Sequence, residues 1–160
     1  MAEIPLTQGK VALIDDEDYE WLMQWKWHYC EAGYAVRYAG GGRKHRKDLY
    51  MHRAILDVPD SLEIHHINHN GLDNRQDNIL TCTHRQNLKS QRKPSRRKYS
   101  SQYKGVTFCK TGRRNKRWVA QIKCDYKHRF LGFFHTESEA AFAYDEAART
   151  LFGKFALTNF

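Results

Sequence analysis

Between residues 63 and 87 the chain gathers four histidines, His65, His66, His69 and His84, an Asn- and Gly-rich turn, and two spaced amides, Asn78 and Asn87. Hydrolysing a phosphodiester takes an activated water, a cation beside the scissile phosphate and an in-line approach. A neutral imidazole suits the first task, because its ordinary pKa lies near 6.5. An imidazole at a strand end and an amide on a following helix can supply N and O ligands for the second. His65 and Asn87 are the candidate metal ligands, which leaves His66 free as the base. Adjacent residues of a regular strand point to opposite faces. The two histidines can therefore serve one phosphate only if the strand ends or twists there.

The elements that must position these groups follow from pattern. Residues 62–67 read as a strand, 68–76 as a turn-rich loop, 78–82 as a second strand, and 83–90 as a helix capped by Thr81 or Thr83. Upstream, residues 10–15 read as a short strand, and 16–24 as one or two helical turns. Residues 26–31 and 34–38 read as a hairpin, and 49–56 as a short helix containing His52. From 85 to 104 the chain carries eight Lys/Arg and no Asp/Glu around Pro94. This stretch is expected to be an extended linker. Three strand-like runs follow (103–109, 117–123, 128–134). A helix then opens on a T-x-x-E box at Thr136 and Glu139 and closes at Gly153.

Charge divides the chain the same way. Its 160 residues carry a net +9. Residues 1–88 hold 10 Lys/Arg against 13 Asp/Glu, a net of −3, whereas residues 89–160 hold 17 against 5, a net of +12. The second part is expected to meet a polyanion. With 41% apolar and 28% charged residues the composition is that of a globular protein. No apolar run reaches the roughly 18–20 residues of a membrane span, and the N-terminus shows no basic-then-apolar signal. The four scattered cysteines form no C-x-x-C pair, so reduced thiols in an intracellular protein are expected, in the cytoplasm of a bacterial or phage-infected host.

The run H-H-I-N-x-N-x-x-D-N-R-x-x-N-I followed by T-x-x-x-N resembles the HNH endonucleases of the ββα-metal fold, particularly those akin to homing endonucleases. The resemblance implies that His65 and Asn87 hold the metal, that His66 is the general base, and that Asn78 braces the motif and orients it. Asp73, Asn74 and Arg75 match a structural loop. The family more often has Asp where this chain has His65. A neutral ligand there should weaken hard-cation binding and favour softer divalent ions such as Mn²⁺, Co²⁺ or Ni²⁺ over Mg²⁺. A structural zinc site built from His65, His66, His69 and His84 is the alternative reading of the same imidazoles.

Residues 103–160 resemble an AP2-type DNA-binding domain through Y-K-G-V at 103–106, W-V-A-Q-I at 118–122, L-G-F-F at 131–134 and the Ala-rich segment 139–148. That family's contacting face maps to Lys104, Thr107, Cys109, Gln121, Lys123, His128 and Phe130. Arg113, Arg114, Lys116 and Arg117 in and beside the first hairpin loop are expected on phosphate, as are Arg96, Arg97 and Lys98 of the linker. The readers differ from those of the plant members, so no target sequence transfers.

The expectation is thus an α+β protein in three parts. An HNH ββα-metal domain with a small β-rich extension occupies 1–90, and a basic linker 91–101. An AP2-like three-stranded antiparallel sheet packed on one helix occupies 102–160. Its expected function is metal-dependent (Mg²⁺ or Mn²⁺) cleavage of double-stranded DNA to 5′-phosphate and 3′-hydroxyl ends. A monomer is expected, or a dimer where both strands are cut. A DNA-binding regulator that retains an inactive HNH scaffold is the rival.

Overall fold

The computed structural model describes residues 1–41, 47–91, 99–110 and 117–160. The chain divides into two compact units, Met1–Asn87 and Leu88–Phe160.

The first unit opens with β1 (Ala2–Pro5) and β2 (Val11–Ile14), an antiparallel pair in register Ala2↔Ile14. Alternation turns Ile4, Ala12 and Ile14 inward. A 3-10 turn leads into α1 (Tyr19–Leu22), and the chain then forms a sheet of β3 (His28–Tyr29), β4 (Ala35–Gly40) and β5 (Lys47–Tyr50), with β4 central. Helix α2 (Met51–Leu56) stops at Asp57, which adopts a left-handed conformation (φ 45°). Leu22, Trp27, Ala35 and Met51 complete one core with the hairpin residues. Two strands had no clear signal in the sequence. Residues 2–5 gain a strand by pairing with β2. Residues 47–50 do so beside β4, so the expected helix begins two residues later than its apolar pattern.

The motif segment follows as β6 (Glu63–His66) and β7 (Ile79–Cys82), antiparallel in register His66↔Ile79, and then α3 (His84–Lys89). Thr83 caps α3: the Gln86 backbone N–H donates to its hydroxyl, and the Thr83 N–H donates back to the Gln86 side chain. The loop between β6 and β7 is stitched to the N-terminal hairpin. Leu13 N–H donates to the Leu72 carbonyl and Asn74 N–H to the Leu13 carbonyl, both at 2.8 Å. Gln76 N–H donates to Asp15 Oδ2 at 2.8 Å. The extension is therefore the platform on which the loop rests. Gly71 lies where a Cβ would come within 2.6 Å of the Gly33 carbonyl and the Tyr34 ring, so only glycine fits.

In the second unit β8 (Val106–Phe108), β9 (Trp118–Cys124) and β10 (Lys127–Phe134) form an antiparallel sheet in the order β10-β9-β8. Helix α4 (Glu137–Phe152) opens with the reciprocal Thr136/Glu139 capping box. Its small inward residues Ala140, Ala141 and Ala148 let it lie close on Val106, Ala120 and Ile122. Gly105, at φ +75°, would place a Cβ 1.9 Å from the Tyr144 ring. The fully buried Asp145 carboxylate accepts the backbone N–H groups of Asn159 (2.8 and 2.9 Å) and Phe160 (3.0 Å), which ties the last residues to α4. The four cysteines form no disulfide, and no described helix is long and apolar enough to cross a membrane.

Candidate active site and sheet face

The β6–β7 loop is folded by its own amides. Asn68 Oδ1 accepts from Asn70 N–H at 2.9 Å and Asn70 Oδ1 from Leu72 N–H at 3.1 Å, two side chains standing in for turn carbonyls. Arg75 grips Asp73 with two donors, at 2.8 and 2.7 Å, and Asn68 Nδ2 adds a third at 2.8 Å. These bonds, Arg75 first, hold the Asp73 carboxyl below the usual carboxylate range. Asn78 braces the loop from inside: Nδ2 donates to the Asp73 carbonyl at 2.7 Å and Oδ1 accepts from Asn68 N–H at 3.0 Å.

His66 is the last residue of β6, so the strand ends where the two histidines part. It is 6% exposed, and its ring meets His52 at 5.1 Å and Tyr34 at 5.7 Å between centroids. Asn74 Oδ1 lies 3.4 Å from its Nε2. Asn74 Nδ2 donates to the Leu72 carbonyl at 3.2 Å, which fixes the amide with its oxygen toward the imidazole. Nε2 is therefore the protonated nitrogen, and the lone pair sits on Nδ1. Burial pushes the His66 pKa down, partly offset by Asn74. Behind it His52, 8% exposed and stacked on Tyr50 at 5.3 Å, is pushed down to about 3 by burial and by His66. Both rings stay neutral near pH 7.

His65 has different neighbours. It is 5% exposed, meets the His69 ring at 5.5 Å and is hydrogen-bonded to Asn87. Asn87 Nδ2 donates to Glu63 Oε2 at 2.7 Å, and His84 Nδ1 lies 2.6 Å from Glu63 Oε1. These contacts, Asn87 first, lower the Glu63 pKa and keep it a carboxylate. The expected pair His65 and Asn87 is thus brought together across β6 and α3. His66 and Asn78 stand on the inner side of the loop. Sequence reasoning missed Glu63, although it lies two residues before His65 and so on the same strand face. It also treated Asn74 as loop structure, whereas Asn74 is the amide that reaches the His66 ring. Among the described residues no three His, Cys, Asp or Glu side chains form a metal-binding group.

Residues 57–89 match the HNH endonuclease family. The matched stretch holds β6, β7, α3 and all four expected site residues, and it marks this region as nuclease-type. Over 95% of its length the chain is similar to an uncharacterised HNH endonuclease of Acanthamoeba polyphaga mimivirus, 28% identical across 76% of that protein. A separate likeness runs to plant proteins. An AP2/ERF and B3 domain-containing transcription repressor of Arabidopsis thaliana is 46% identical over 41% of this chain and 17% of its own length. APETALA2-like protein 2 of Oryza sativa subsp. indica is 46% identical over 38% of this chain and 14% of its own. The chain spans a small part of both plant proteins.

Beyond the HNH segment, the second unit offers its sheet face. Thr107, Lys123, His128 and Phe130 are exposed there, and Gln121 is half-buried directly opposite Phe130. Arg117 is exposed just before β9. Lys104 is engaged within the unit: its ammonium donates to the carbonyls of Lys89 (2.7 Å) and Gln91 (2.8 Å), and burial lowers its pKa to about 8. Arg96, Arg97, Lys98, Arg113, Arg114 and Lys116 lie outside the described residues.

Proposed function

We propose that this chain is a metal-dependent, homing-type DNA endonuclease, which leaves 5′-phosphate and 3′-hydroxyl ends and is directed to its target by the AP2-like second unit. The observation that carries this reading is the division of labour at the end of β6: His65 is paired with Asn87 beside a carboxylate, and His66 is held neutral with its Nε2–H fixed on Asn74.

The donor set fits a divalent cation. His65 offers an imidazole nitrogen, Asn87 an amide oxygen, and Glu63 a carboxylate on the same strand face. These residues would hold the ion, which when bound supplies positive charge for the scissile phosphate and the departing 3′ oxygen. Glu63 also restores the negative charge that His65, in place of Asp, leaves out. That argues for Mg²⁺ or Mn²⁺ and against a strict preference for softer ions. His66 accepts the proton of the attacking water on Nδ1. Asn74 stabilises the imidazolium so formed by accepting from Nε2–H, and Tyr34 and His52 keep the ring from turning. Asn78 keeps the loop in register for both. One such site cuts one strand, so a monomer is expected to nick.

A second reading, a DNA-binding regulator on an inactive HNH scaffold, is favoured by the enclosure of His66 at 6% exposure. Incubation of supercoiled DNA with the full chain and Mg²⁺ or Mn²⁺ separates the two. The endonuclease reading expects nicked circles that disappear with EDTA and whose ends ligate without prior phosphorylation. Binding with no cleavage under any divalent ion contradicts it.

A further inference from the structure

Strand β10 carries a bulge that does not follow from the alternation of its sequence. Phe130 is opposite Gln121, but the next paired residue is Gly132, opposite Ala120, and then Phe133, opposite Val119. Leu131 is the extra residue, and it packs on both clusters under α4. Gly132 takes φ +145° in this bulge. An unbulged strand would send Phe130 and Phe133 to opposite faces. The bulge brings both to the open face, where their rings meet at 5.1 Å and 62°.

The open face then reads as an ordered surface. Thr107 and Phe133 flank Val119, Phe130 stands opposite Gln121, and His128 opposite Lys123. Phe130 is 60% exposed, and Lys123 and His128 are exposed beside it. A solitary exposed Phe is unremarkable. This one continues an apolar strip of Phe133, Val119 and the Thr107 methyl, with a single amide set into it and a basic end. The net +12 of residues 89–160 complements a polyanion rather than an apolar partner.

We propose that this face recognises A·T base pairs in the major groove of duplex DNA, with Gln121 pairing to the adenine edge and Phe130 packing on the thymine methyl. The inference rests on the reading of the second unit as the targeting module. Major-groove adenine presents an N7 acceptor and an N6 donor, which a Gln amide matches with both its groups, while thymine alone presents a C5 methyl that an aromatic ring can cover. Lys123 and His128, the next pair along on the same face, lie where the strand pair would meet the phosphate backbone. Directly opposite residues of an antiparallel pair have Cβ atoms about 5 Å apart, so Gln121 and Phe130 can address one base pair or two neighbouring ones.

The test uses the full chain in EDTA, so that DNA is bound and not cut. Duplexes are selected from a random pool, and affinities are measured at fixed salt with each thymine replaced by uracil and each adenine by 7-deazaadenine. The expected result is an enriched site in which one or two uracil substitutions weaken binding about fivefold and a neighbouring 7-deazaadenine does so to a similar extent. Phe130→Ala should abolish the uracil effect alone and Gln121→Ala the 7-deazaadenine effect alone. Lys123→Ala should weaken every duplex equally and flatten the salt dependence. An enriched site insensitive to both substitutions, or one whose sensitivity survives in the two variants, overturns the inference and leaves the targeting role standing. If all three variants bind DNA as the wild type does, the targeting role falls and the inference with it. A change of oligomeric state on Phe130→Ala with discrimination intact would mark the strip as a self-association surface and likewise overturn the inference. Circular dichroism of each variant checks that the exposed positions can be changed without unfolding.

Discussion

The two units solve opposite problems. Among the described residues the first buries seven polar or charged side chains: Asp18, His52, His65, His66, Asp73, Asn74 and Asn78. The second buries three: Ser90, Ser101 and Asp145. In the second unit small alanines bring a capped helix onto a sheet, and the buried Asp145 only ties down the C-terminal residues. In the first, the apolar core lies under the N-terminal hairpin and α2, and the site loop is held by amides and the Arg75–Asp73 ion pair. Apolar packing tolerates polar replacement poorly but does no proton chemistry. An amide network fixes imidazoles in chosen tautomers, but every member left unpaired costs free energy. The lesson is that the nuclease-type half keeps polar order inside, while the second half keeps order inside apolar and presents its polar groups outward.

This contrast can be broken from either side. The largest expected effect is Gly105→Ala, which drives a Cβ into Tyr144 at a left-handed position. It should cost roughly 3–5 kcal/mol and unfold the second unit selectively. Hydrogen exchange should show protection lost in β8–β10 and retained around β6 and β7; uniform loss would refute the separation. Next is Glu63→Gln. Losing the carboxylate beside His65 and Asn87 should weaken apparent metal affinity by about 10- to 100-fold, read from the metal dependence of nicking, with DNA binding unchanged. An unaltered metal dependence would remove Glu63 from the site.

A third effect sets the units apart by pH. The folded pKa of His52, about 3, lies below its unfolded value of 6.5, so the unfolded chain binds more protons between those values. Its contribution is present above pH 6.5 and is lost as pH falls. About 2 kcal/mol should have gone by pH 5. Loss of protection between pH 7 and 5 should begin in the first unit, and His52→Phe should blunt it. The smallest effect is Thr136→Ala, which removes one side of the capping box and should cost about 1 kcal/mol in the second unit alone.

Much of this was legible beforehand, for reasons that differ by region. The helix at 137–152 announced itself through its T-x-x-E start, alanine spacing and terminal glycine, all local signals. The strands flanking the histidine loop were visible because apolar residues bound a run of turn-forming amides. Residues 2–5 and 47–50 were not visible as strands, because their pairing partners lie elsewhere in the chain. His65 and Asn87 could be matched by spacing, yet Glu63 emerges only when α3 folds back to bring Asn87 and His84 onto it. Asn74 hides in plain view: nothing in Asp73-Asn74-Arg75 says which of the three reaches the imidazole, and only the stitch to Leu13 turns Asn74 inward. The bulge at Leu131 was equally hidden, since L-G-F-F alternates as well without it.

In the proposed reaction His66, neutral and fixed by Asn74, is the base that cuts the strand. The most direct test of this role compares wild type and His66→Ala in single-turnover nicking of supercoiled DNA at saturating protein and metal, with binding measured in parallel. The variant should bind DNA as the wild type does and nick about 10²- to 10⁴-fold more slowly. Nicking by His66→Ala at the wild-type rate would contradict it.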